Sequence, residues 1–105
     1  MDQYLPGFYK SFREQYGAVA SGLDRLAATI DQTGGLDERD RRLVKLGIAI
    51  GSQSGGAVRS NARKALALGL EPDQIRQAAL LAVTSVGFAP AMAALQSIEE
   101  ILGGE

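Results

Sequence analysis

From about Gly7 to Gln32 the apolar residues Phe8, Phe12, Tyr16, Val19, Leu23, Leu26 and Ile30 recur three or four positions apart. That spacing draws one continuous stripe along a helix. Lys10, Arg13, Glu14, Asp24 and Arg25 fall off the stripe. Gly17 and Gly22 weaken its middle, so the segment is either two helices or one with a bend. Thr33-Gly34-Gly35 closes it, because glycine adopts the left-handed conformation that helix ends use.

A second segment begins at Asp37, an N-cap with Asp40 three residues on. Its apolar set Leu43, Val44, Leu46, Ile48, Ala49 and Ile50 is too broad for a surface helix, and predicts that most of the circumference is buried. It stops in Gly51-Ser52-Gln53-Ser54-Gly55-Gly56. A third helix, about Ala57 to Leu68, buries Val58, Ala62, Ala65 and Leu66 and ends at Gly69. Glu71-Pro72-Asp73-Gln74 is the clearest start signal in the chain: an acceptor side chain, proline at the first helical position and glutamine in the capping-box place. That fourth helix carries Ile75, Ala78, Ala79, Ala82, Val83 and Val86, widened by Leu80 and Leu81. Gly87-Phe88-Ala89 breaks it. Pro90 is expected to open the last helix, whose stripe is Ala94, Leu95, Ile98 and Ile101.

Ala and Leu number 29 against 11 for Val and Ile, a balance that favours helix over strand. The expected fold is all-α, with five to six helices in a single domain spanning residues 1–105. Two helices that are apolar nearly all round are hard to hide in so few elements, so a homo-oligomer is expected. Close packing of alanine faces within one protomer is the alternative.

The chain has no cysteine and no histidine. Disulfides, thiolate nucleophiles, imidazole bases, Ser-His-Asp triads and thiolate or imidazole metal sites are therefore excluded, and neither a metal nor a cofactor is expected. The formal charge of −1 argues against a nucleic-acid partner, which needs clustered basic charge. No apolar run approaches the roughly 20 residues of a bilayer span, and the first residues lack the features of a signal peptide. The expectation is a cytoplasmic protein with no membrane partner.

Candidate chemistry gathers around the Gly/Ser loop. It leads into a helix N-terminus, where free amides and the dipole favour an anion, and Ser52, Ser54, Arg59 and Arg63 could hold a phosphate or carboxylate there. The plainer reading is a capped turn, since the loop lacks the lysine and spacing of a P-loop. Arg39, Arg41, Arg42 and Lys45 are interleaved with Asp37, Glu38 and Asp40, which reads as a solvated, ion-paired face. Tyr4, Phe8, Tyr9, Phe12 and Tyr16 are expected to pack a core or subunit interface.

Leu36-Asp37-Glu38-Arg39-Asp40-Arg41-Arg42-Leu43-Val44 resembles the L-(D/S)-x-K-x-R-E-L-I opening of the carboxymuconolactone decarboxylase and AhpD-like alkylhydroperoxidase family. Asn61 to Gly69 resembles its H-x-R-x-A-L-x-x-G helix, Glu71-Pro72-Asp73-Gln74-Ile75 its T-x-E-E-I segment, and Gly87 to Ala94 its G-x-P-A segment. The resemblance covers roughly residues 20 to 100. It implies a fold of about six helices assembled as a trimer or hexamer. It also implies one of two activities: hydroperoxide reduction by a C-x-x-C pair with a histidine and an upstream glutamate, or lactone decarboxylation by members that keep histidine without the cysteines.

In the register fixed by Gly69, the family histidine falls at Asn61, the two cysteines at Ser54 and Ala57, and the glutamate at Arg42. All four positions differ from the family pattern. Ser54 offers no thiolate, Ala57 cannot resolve an intermediate, Asn61 does not titrate, and Arg42 inverts the charge. The resulting expectation is a degenerate thiol peroxidase site in an oligomeric small-anion-binding or accessory protein, with a small carboxylate or phosphate as the candidate ligand. One alternative is a non-thiol enzyme in which Arg42 and Asn61 polarise a small carboxylated substrate for decarboxylation or lactone chemistry. The other is a purely structural oligomer.

Overall fold

The computed structural model describes residues 6–103 of the chain. Six helices follow in order: α1 Pro6–Gln15, α2 Gly17–Asp31, α3 Glu38–Gly51, α4 Gly55–Ala67, α5 Pro72–Ala82 and α6 Phe88–Leu102. The described residues contain no strand, and the chain is all-α. Two units can be distinguished, one holding α1 and α2 and the other running from Asp37 through α6.

In the first unit the long stripe is divided into two helices, and the break falls at Tyr16, beside Gly17. Arg13 ties the pair together: it ion-pairs with Asp24 of α2, donates to Tyr9 Oη (2.9 Å) and lies 5.6 Å from the Tyr9 ring centroid. Phe12 and Tyr16 stack at a tilt, 5.7 Å between centroids. Phe8, Tyr9 and Tyr16 are exposed in the single chain rather than packed in a core. Tyr4 lies outside the described residues.

In the second unit, side-chain chemistry sets the helix starts. Asp37 accepts from the Asp40 N–H (2.9 Å) and caps α3. Ser54 caps α4 through the Ala57 N–H (3.4 Å). Gln74 Oε1 accepts from the Glu71 N–H (2.8 Å), the return arm of a capping box. α6 differs from expectation. It starts at Phe88, with Gly87 as N-cap at φ +113°, and Pro90 is its third residue. Proline fits there because the first-turn N–H groups have no intrahelical acceptor to lose.

α3 packs on α4 and α5, and α6 closes the unit against α4 and α5. Leu46, Ile50, Val58, Ile75 and Ile98 are fully buried among Ala62, Ala65, Ala79 and Ala91. Burying each of the large side chains stabilises by about 1.5–3 kcal/mol, and the alanines let helix axes approach closely. Arg76 of α5 bonds Glu99 of α6 (2.8 Å) and Asp73 (3.0 Å), pinning the rim of this core. The expectation that most of α3 is buried is not met within one chain. Leu46, Ala49 and Ile50 form its buried stripe, while Val44 and Ile48 are 48% and 65% exposed.

Candidate functional site

The α3–α4 turn carries the only described non-glycine residue at positive φ, Gln53 at +57°. The Gln53 N–H bonds Ile50 O (3.0 Å) and the Ser54 N–H bonds Ala49 O (3.2 Å), which is a Schellman closure with glutamine where glycine is usual. α4 ends in the same way, with Gly69 at φ +86° and Leu70 N–H bonding Ala65 O (3.1 Å). The tight turn reverses the chain and lays α4 antiparallel beside α3. Arg39 Nη1 reaches Leu68 O (3.3 Å), Arg42 Nη1 reaches Asn61 Oδ1 (2.5 Å), and Ser54 N meets Ala49 O.

Along this pairing lies an open cleft of about 470 Å³. α3 lines it with Arg42, Lys45, Ile48 and Ala49, and Ser52 follows at the helix end. Ser54, Ala57, Asn61 and Lys64 face them from the α4 side. Arg42, Ser54, Ala57 and Asn61 are therefore brought together. Lys45 and Lys64 join them, although the sequence reading gave neither a site role. Their signal was helical spacing: 42, 45, 49, 52 on one helix and 54, 57, 61, 64 on the other each mark one face.

The hydrogen bonds within the cleft assign each group a role. Asn61 Nδ2 donates to Ala57 O (2.8 Å), leaving Oδ1 turned toward Arg42. The Arg42 guanidinium is thereby held in one orientation, and its Nε is buried with no hydrogen-bond partner among the described residues. Ser52 Oγ donates to Ala49 O (3.1 Å), and Ser54 Oγ is engaged by the Ala57 N–H. Among the described residues no acidic side chain lines the cleft. The wider stretch from Arg41 to Leu70 contains Arg41, Arg42, Lys45, Arg59, Arg63 and Lys64 but no Asp or Glu.

Arg59 and Arg63 do not line this cleft. Arg59 turns to α6, with Nη1 3.4 Å from Ser97 Oγ and 3.6 Å from Glu100 Oε1. Arg63 is exposed. At about 100° per residue these two share a helix face that points away from the one holding Ala57, Asn61 and Lys64. Of the residues expected to hold an anion, Ser52 and Ser54 reach the cleft and the two arginines do not. Among the described residues no group of three or more His, Cys, Asp or Glu could hold a metal ion.

The model of the carboxymuconolactone decarboxylase family matches residues 17–100. The chain belongs to that family. Its helices superpose on the crystal structure of an apo carboxymuconolactone decarboxylase family protein from Legionella pneumophila with a TM-score of 0.76. The two are 22% identical, and the match covers 90% of this chain and 88% of the other. That likeness shows a shared all-α fold. No curated protein matches the sequence. Among the described residues no helix is long and apolar enough to cross a membrane.

Proposed function

We propose that this carboxymuconolactone decarboxylase family protein carries a degenerate thiol peroxidase site and works as an oligomeric accessory protein that holds a small carboxylate or phosphate in the α3–α4 cleft. One observation carries the reading: Arg42 is clamped by Asn61 inside a cleft that Lys45 and Lys64 also line and that, among the described residues, no carboxylate lines. Such a wall concentrates anions, and a pre-oriented guanidinium binds them with little ordering cost. The hydroxyl of Ser54 serves as a helix cap and has no base beside it, and Asn61 cannot carry a proton between groups.

Two assays test this together. Hydroperoxide consumption with a dithiol donor is expected to stay at background, and turnover would overturn the degenerate-site reading. The melting temperature is expected to rise with added phosphate or acetate, and to rise less in Arg42→Ala. Melting that ignores a broad anion panel would overturn the ligand-binding reading and leave a structural oligomer. The fixed Arg42 guanidinium also favours a second reading, non-thiol chemistry on a carboxylated lactone, because it could stabilise developing negative charge. Product formation from such a lactone, lost in Arg42→Ala, is its test.

A further inference from the structure

The cleft is polar at its two ends in different ways. The antiparallel pairing sets Arg42 opposite Asn61 and Lys64, with Lys45 one turn along, so all its cations sit at one end. Toward the turn the walls become Ile48 and Ala57, with the largely buried Ala49 between them, and then the hydroxyls of Ser52 and Ser54. Ser52 caps the helix seven positions beyond Lys45, roughly 10 Å along the axis. At the turn end the negative C-terminus of α3 lies beside the positive N-terminus of α4, so the two dipoles offset each other there.

Resting on the anion-binding reading, we infer that the cleft selects a single-headed anion: one carboxylate at Arg42 and Lys64, and an uncharged body of several carbons lying over Ile48 and Ala57. A second carboxylate at the far end would give up part of its hydration beside Ile48 and Ala57 and meet serine hydroxyls but, among the described lining residues, no cation. A bare small anion would leave the apolar walls uncovered.

Calorimetric titration of the full chain with hexanoate, adipate and acetate tests this. Hexanoate is expected to bind about tenfold tighter than acetate, from partial burial of its extra methylenes. Adipate, of the same length with a second charge, is expected to bind roughly threefold or more weaker than hexanoate. Ser52→Lys, an exposed substitution that places a cation at the turn end, is expected to reverse the hexanoate–adipate order. Lys64→Ala is expected to weaken hexanoate binding. Adipate or acetate binding the wild-type chain as tightly as hexanoate would overturn this inference and leave the anion-binding reading standing. Binding of none of the three, together with a melting temperature that phosphate leaves unchanged, would overturn that reading as well.

Discussion

Asn61 is bonded on both sides: its amide nitrogen to the Ala57 carbonyl one turn back, and its carbonyl oxygen to the guanidinium of Arg42 on the neighbouring helix. A neutral side chain thus fixes the position of a half-buried charge, and it does so between the two helices that wall the cleft.

Removing either partner should therefore cost more than a surface substitution. Asn61→Ala leaves Arg42 with a second unsatisfied edge beside its buried Nε, an expected loss of about 1–3 kcal/mol. A double-mutant cycle with Arg42→Ala should return a coupling of about 1–2 kcal/mol. Urea unfolding of the four proteins measures it, and additive single effects would contradict the bond.

Gln53 and Gly69 occupy equivalent places in two Schellman closures, one strained and one relaxed. Gln53→Gly is expected to stabilise the chain by about 0.5–1 kcal/mol, because the left-handed region costs a residue with a Cβ. Gly69→Ala is expected to destabilise by about 1 kcal/mol. The nearest atom to the added Cβ, Arg39 Nη1 at 3.6 Å, is at ordinary contact distance, so the cost lies in the backbone. Thermal melts of both variants check the opposite signs, and equal shifts would contradict the assignment.

These turns also show what the sequence could reveal. Asp37, Glu71 and Gly69 announce their roles because a short acceptor, a proline-flanked carboxylate and a glycine act through local chemistry. The α3–α4 turn conceals its mechanism. Three glycines stand at 51, 55 and 56, yet Gln53 takes the left-handed place, chosen by how the two helices must pack. Pro90 misled in a similar way, since Gly87 caps α6 and proline is tolerated anywhere in a first turn. Arg42, Ser54, Ala57 and Asn61 were legible as a group through family register. Lys45 and Lys64 required the antiparallel pairing, and Arg59 required the position of Glu100, neither of which is encoded locally.

Acid should weaken the chain through two carboxylates. Hydrogen bonds from Arg76 hold Glu99 below its ordinary range, and those from Arg13 do the same for Asp24. Both titrate lower folded than unfolded, so their contribution is complete above about pH 5 and is lost as pH falls through the folded values. The melting temperature is expected to be level above pH 5 and to decline below it. Arg76→Gln should shrink the decline, and high salt should do likewise because these pairs are exposed. An unchanged acid slope in Arg76→Gln would contradict the linkage.

The exposed apolar side chains of the second unit bear on assembly. Leu80 and Leu81 on α5 are 52% and 61% exposed, and Phe88 at the start of α6 is 68% exposed. Covering the exposed part of each would stabilise by about 1–2 kcal/mol, which a second copy of the chain can supply. Light scattering is therefore expected to give a mass above that of the 11.1 kDa chain, with a melting temperature that rises with protein concentration. Leu81→Asp and Phe88→Asp, both clear of the α3–α4 cleft, should shift the mass toward the monomer while leaving helix content unchanged. A wild-type chain that stays monomeric at high concentration would mean that these side chains remain in water. The surplus of apolar positions would then reflect alanine-rich packing inside one protomer.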